Sequence, residues 1–323
     1  MNPFVSVVVL TYNPSWQKLK PTLVSILRQK NVDFEILLAD DGSANNLQEQ
    51  ASALFLDYSF ESFTLLSNPV NRGTVQNLLS ALEKAQGTYV YVISPGDFLY
   101  EDATLAKLVA FAESDHTEIC FGEAVLYAMD AEGNIVLPHG RPLAPSRPDL
   151  YRDLNIFRQK AAFFFLDYIL GAAYFRKTKT ALEMLRKAAA FAKYAEDTPS
   201  TLFALAKGIP VHYFPEPVVW YDCGEGISTQ TEPQKENRWQ QILSAEYRAA
   251  YEALLKEDPK DPVLQSAWRY KYEKEEKEPV WKQFLVHPLV VLAFYRRRRF
   301  PVKLNAATEE NLEKLSDILR LAN

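Results

Sequence analysis

The chain has 323 residues, 48% of them hydrophobic, with a formal net charge of -5 and two cysteines. That length and apolar content suffice for a large core, so a catalytic unit with an appendage is expected. The acidic balance gives no general attraction for nucleic acid, Cys120 and Cys223 cannot build a disulfide framework, and no Cys/His cluster has zinc spacing.

Residues 1–3 lead straight into a strand-like run, with no basic stretch, apolar core and cleavage site, so a cytoplasmic setting is expected. Up to about residue 115, strand and helix patterns alternate, which predicts a largely parallel sheet with crossover helices. The strands are expected at 5–10, 34–39, 63–67 and 88–93, and the helices at 19–29, 46–55 and 74–86, with Gly87 capping the third helix. Strand-like stretches at 118–127 and 134–137 predict an antiparallel excursion, and the proline-bearing segment 138–148 a loop. The aromatic run 163–175 reads as core that also walls a site. Helices are expected at 179–192 and 199–207, and strands at 211–214 and 218–220. Beyond Ser228 the sequence becomes charged and helical, at 234–255, 262–277, 280–299 and 308–321. This divides the chain into a catalytic domain, 1–230, and a helical region, 231–323. No run is long and apolar enough to span a membrane; the longest, 284–295, is broken by His287-Pro288.

Chemistry-bearing residues gather at predicted strand ends. The first strand ends in Thr11-Tyr12-Asn13 and the second in Asp40-Asp41-Gly42-Ser43. In an open α/β sheet that edge binds ligands, and an aromatic beside paired carboxylates suits a nucleotide base and ribose. Asn71-Arg72-Gly73, Ser94-Pro95-Gly96-Asp97 and Glu196-Asp197 follow in order. Each also has a simpler use: Asp-Gly and Pro-Gly-Asp make turns, Arg72 suits a solvated loop, and Glu196-Asp197 suits a helix N-terminus.

Taken together, residues 4–230 resemble the family 2 glycosyltransferases of the GT-A fold. The resemblance is carried by Val5 to Asn13, Asp40 to Ser43, Asn68 to Gly73 with Asn77, Gly171 to Arg176, and Glu196-Asp197. It implies a Rossmann-like, mostly parallel mixed sheet flanked by helices, here with a C-terminal helical appendage. It further implies Asp197 as general base with Glu196 tuning it, and Thr11, Tyr12, Asp40, Asp41 and Arg72 around a UDP-sugar. Asp97 would hold Mn2+ or Mg2+. Where the family usually reads Asp-x-Asp-Asp, this chain keeps only the last acid, Asp97. One carboxylate with substrate phosphates and water still suffices for magnesium. The processive Gln-x-x-Arg-Trp signature is absent, since 234–239 has one residue too many.

The expected protein is therefore an inverting, non-processive glycosyltransferase moving a hexose or N-acetylhexosamine to a glycan acceptor on lipid or protein. Two alternatives remain open: a degenerate, non-catalytic partner subunit, and a sugar nucleotidyltransferase, for which residues 11–19 lack the glycine-rich basic loop. Residues 280–300, apolar and ending in four arginines, fit either contact with the inner face of an anionic membrane or a helix packed on the catalytic domain. The helical region also offers a homodimer surface.

Overall fold

In a computed structural model of the chain, the described residues are 4–129, 135–137, 144–145, 148–165, 167–223, 233–273 and 309–321. The first half is a βα series: β1 (Val5–Thr11), α1 (Trp16–Leu27), β2 (Phe34–Asp40), α2 (Gln48–Asp57), β3 (Phe63–Ser67), α3 (Thr74–Leu82), β4 (Tyr89–Ile93), β5 (Phe98–Leu99) and α4 (Thr104–Ser114). Then come β6 (Ile119–Met129), β7 (Ile135–Val136), α5 (Ile156–Phe165), a 3-10 turn at Gly171–Ala173, β8 (Tyr174–Lys177), α6 (Thr178–Ala188), α7 (Asp197–Ala206) and β9 (Val211–Asp222). The last described elements are α8 (Pro233–Glu257), α9 (Pro262–Tyr272) and α10 (Glu309–Leu321). The apolar, arginine-ended stretch 280–300 and most of the expected loop 138–148 lie outside the described residues.

The sheet order is β3-β2-β1-β4-β8-β6-β9-β5, with β7 on β6. β1 pairs in parallel with β2 and β4, and β2 with β3. β8 runs antiparallel to both β4 and β6, and β6 runs parallel to β9. Hence the ends of β1, β2, β3, β4, β6 and β9, and the start of β8, share one edge.

Period-2 alternation sorts the side chains of β1 between two cores. Val5, Val7 and Val9 enter one cluster, while Val8 and Leu10 meet Leu78, Leu82 and Leu185 in the other. Buried on both faces, the strand reads as a continuous apolar run, as central parallel strands do. Ala250, Tyr251 and Leu254 of α8 and Val263, Leu264 and Ala267 of α9 join the first cluster. Leu315 and Ile318 of α10 pack with Phe98, Tyr100, Val125, Tyr127 and Trp220.

Some elements differ from expectation. Helix α3 ends at Leu82, so Gly87 is not its cap; its N–H instead donates to Ser6 Oγ at 2.9 Å, joining the start of β4 to β1. The expected strands 211–214 and 218–220 are one strand, β9, whose register against β6 shifts near Glu123. Two prolines inside β9, Pro215 and Pro217, made the sequence read as two pieces. Helices α4 and α5 and the short β5 are additional to the expected elements.

Candidate active site

The tips of β1 and β2 are laced together. Thr11 Oγ1 donates to Asp40 Oδ1 at 3.1 Å, and Ser43 N–H donates to Asp40 Oδ2 at 2.8 Å. Asn13, at φ 46°, donates its N–H to Ser43 Oγ at 2.7 Å and accepts from Ala44 N–H at 3.3 Å. Both Thr11 and Asp40 are buried. They shape the edge, while the ring of Tyr12 stands out from it, 55% exposed.

Asp41 grips the next loop. Its Oδ1 accepts from Asn68 Nδ2 at 3.0 Å and from Arg72 N–H at 2.9 Å, and its Oδ2 accepts from Gly73 N–H at 2.7 Å. A carboxylate held by backbone N–H groups just ahead of α3 is electrostatically favourable, because those donors carry the positive end of the helix. Asn77 Nδ2 donates to Ala39 O at 2.8 Å and ties α3 back to β2. The guanidinium of Arg72 is exposed, with Nη2 donating to Gln76 Oε1 at 3.2 Å.

Asp97 lies in the turn between β4 and β5, only 6% exposed. Its Oδ1 accepts from Asp222 N–H at 3.0 Å, and Lys18 Nζ is 2.5 Å from Asp222 Oδ2. Burial pushes the Asp97 carboxyl up to about 8, against the pull of the Asp222 N–H and the Lys18 charge; the Asp222 carboxylate adds to the rise. A Cβ on Gly96, where φ is 100°, would stand 2.8 Å from Asp222 Oδ2. The space that a side chain at 96 would fill is thus occupied by a carboxylate arriving from β9. Sequence reading missed Asp222 because only the pairing of β9 with β6, Tyr127 opposite Asp222, brings it there.

Glu196 and Asp197 open α7 on the same edge. Asp197 accepts from Thr198 N–H with Oδ1 and from Tyr168 Oη with Oδ2, the latter at 2.9 Å. Desolvation raises both carboxyl groups, and the charge of Asp197 raises Glu196 further; Arg176 opposes the rise at both. The Arg176 guanidinium, 4.0 Å above the Tyr174 ring, is buried, and its Nη2 has no hydrogen-bond partner among the described residues. A Cβ on Gly171 would meet Glu196 Oε1 at 2.4 Å, so the 3-10 turn before β8 forms the wall against that carboxylate. Tyr91 Oη donates to Ala172 O at 2.6 Å, and its own ionisation is suppressed by burial and by Asp97. Tyr91 therefore bridges the Asp97 turn and the wall beside Glu196. Tyr168 is 40% exposed although its hydroxyl rests on Asp197. In sequence it is hidden within the aromatic run 163–175, most of which is core.

Tyr12 and Asp41, the buried Asp97 and the Glu196-Asp197 pair thus lie along one edge of an α/β sheet. The chain belongs to glycosyl transferase family 2, whose model matches residues 6–169, and its fold is of the GT-A type. It is 28% identical over 125 residues, 38% of its length, to the PGL/p-HBAD biosynthesis glycosyltransferase of Mycobacterium bovis, covering 48% of that protein. The chain spans about half the length of the mycobacterial relatives that it matches. An uncharacterized glycosyltransferase of Mycoplasma genitalium is 24% identical over 262 residues, covering 74% of this chain and 75% of that one. Among solved structures, the fold resembles S. aureus TarS 1-349 in complex with UDP-GlcNAc, at TM-score 0.52 and 15% identity, covering 98% of this chain and 88% of that one. It also resembles the mannosyltransferase PcManGT of Pyrobaculum calidifontis in complex with GDP-Man and Mn2+, at TM-score 0.55 and 17% identity, covering all of this chain and 81% of that one.

Proposed function

We propose that this glycosyltransferase moves a hexose or N-acetylhexosamine from a UDP-sugar to a glycan acceptor on lipid or protein, with inversion at the anomeric carbon. The observation that carries this reading is the pair of half-buried Glu196 and buried Asp197, opening α7 beside an exposed tyrosine on the edge that also holds Asp41 and Asp97. Solved relatives of the same fold in complex with UDP-GlcNAc and GDP-Man support a nucleotide-sugar donor.

Asp197 is the general base. Its Oδ2, already facing a hydroxyl at 2.9 Å, has the geometry to take the proton of an acceptor hydroxyl attacking the face opposite the nucleotide. With its pKa raised by burial, it is a stronger base than a solvated carboxylate. Tyr12 packs on the base, and the Asp41-held loop carries Arg72 toward the diphosphate. Thr11 and Asp40 fix the tip between them.

Among the described residues no three His, Cys, Asp or Glu side chains converge on a metal position. Asp97 and Asp222 nevertheless fit Mn2+ or Mg2+ as a pair, since such ions take one or two carboxylates and complete their shell with phosphates and water. Burial makes ionised Asp97 costly, and a bound cation would offset that cost. When bound, the ion would neutralise charge developing on the leaving diphosphate. The chain divides functionally near residue 230, with donor and base residues before it and supporting helices after it.

Tyr168→Phe is expected to shift the acid limb of the pH-rate profile upward. The tyrosine hydroxyl stabilises ionised Asp197, so its loss leaves less base at a given pH. Rates measured from pH 5 to 9 would show it, and an unmoved limb would separate Tyr168 from the base. The donor assignment is tested by thermal shift against UDP-, GDP- and TDP-sugars with and without Mn2+. Stabilisation by a UDP-sugar supports it; stabilisation by another nucleotide class alone contradicts it.

A further inference from the structure

Helix α8 reaches the reacting pair through one side chain. Glu246 is only 8% exposed, and its carboxylate accepts from three successive backbone N–H groups ahead of Glu196. Oε1 takes Lys193 N–H at 2.9 Å, Oε2 takes Ala195 N–H at 2.8 Å, and Tyr194 N–H is shared at 3.3 and 3.1 Å. Consecutive N–H groups turned to one point form an anion-binding concavity, and here the anion is intramolecular.

The same short turn is held from the donor side. Lys193 O accepts from Val75 N–H of α3 at 3.0 Å, just beyond the loop that Asp41 grips. Trp239, two helical turns before Glu246 on α8, meets the Tyr194 ring edge-on at 4.9 Å between centroids. Tyr247, next to Glu246, lies close enough to Asp197 that the carboxylate, after burial, suppresses its ionisation. Residues 193–195 are therefore clamped between the donor loop and α8, with Glu196 and Asp197 as the next two residues.

We propose that Glu246 is a positioning residue for glycosyl transfer, acting through the backbone of residues 193–195 to set where Glu196 and Asp197 stand relative to donor and acceptor. The proposal rests on the reading of Asp197 as base. Small misplacement of a base is costly in rate because the reacting geometry must be reached within a fraction of an ångström. Donor affinity should depend far less on Glu246, since the turn meets the donor side through the single Val75 N–H bond while the Tyr12 and Asp41 edge is held by its own bonds.

The test is Glu246→Gln. The amide keeps the size of the side chain but has one carbonyl oxygen, and its NH2 group would face backbone N–H donors. In slow hydrolysis of the sugar nucleotide that wild type turns over fastest, kcat is expected to fall roughly 10- to 100-fold. The donor KM and the Kd for UDP should stay within about twofold. Hydrogen exchange at amides 193–195 should accelerate. Should Glu246→Gln fail to fold, Glu246→Asp, which keeps the charge but withdraws it by one methylene, carries the same comparison. Wild-type kcat in spite of faster amide exchange overturns the proposal, as does a rate loss matched by an equal loss of UDP affinity. Asp197→Asn is measured alongside. If it alone is inactive, the base assignment stands and the role of Glu246 falls; if it is fully active, or wild type hydrolyses no sugar nucleotide, both fall.

Discussion

Asp197→Asn is expected to lower kcat about a thousandfold while UDP binding stays nearly unchanged. Asparagine preserves the shape of the side chain, so Oδ1 can still accept from Thr198 N–H and the Tyr168 hydroxyl retains a partner. What disappears is the capacity to take a proton. The variant should also melt above wild type near pH 8, because burial makes ionised Asp197 costly in the folded chain. Loss of rate with gained stability is the signature of a functional group held against its folding preference. A retained rate would remove Asp197 from the mechanism, and reduced UDP affinity of the same size would make it a donor-binding group instead.

Asp97→Asn should weaken UDP binding roughly 10- to 100-fold in the presence of Mn2+ and leave it unchanged in chelator. Titration calorimetry under both conditions distinguishes this from a packing role, in which the two losses would be equal. The pH dependence gives a second reading. The carboxyl is raised from 3.8 to about 8 in the folded chain, so the folded state binds a proton there that the unfolded chain has released. Stability contributed by that proton is complete below about pH 4, declines between the two values and is gone above about pH 8. Each pH unit in that window is worth up to about 1.4 kcal/mol. Asp97→Asn should therefore match wild type in Tm near pH 4 and exceed it by roughly 5 °C near pH 8. A cation must displace the same proton, so Mn2+-dependent UDP binding by wild type should strengthen from pH 6 to 8.

Much of the fold was legible because local and tertiary preferences agree. The valines of β1 and the apolar run of β2 sit in a sheet buried on both faces, so their patterns read directly as central parallel strands. Strand β9 was misread as two because its prolines break the pattern, while tertiary pairing with β6 carries it through. At the site, the residues foreseen are those at strand ends close in sequence to turns. Those missed come from far along the chain: Asp222 beside Asp97, Tyr168 on Asp197, and Glu246 on the turn before Glu196. No local pattern marks an aspartate ending an edge-side strand or a glutamate within a charged helix, since both look like solvated surface until the sheet closes. The separation of the helical region was also less complete in space than in composition, because Ala250, Tyr251 and Leu254 enter the main core.

The most direct measurement is proton NMR of the sugar released from an α-linked UDP-sugar by the wild-type enzyme, recorded before the anomers equilibrate. Inverting chemistry with Asp197 as base predicts UDP release with the β-anomer as first product, and none of it from Asp197→Asn. Release of the α-anomer, or equal release by Asp197→Asn, would contradict the account.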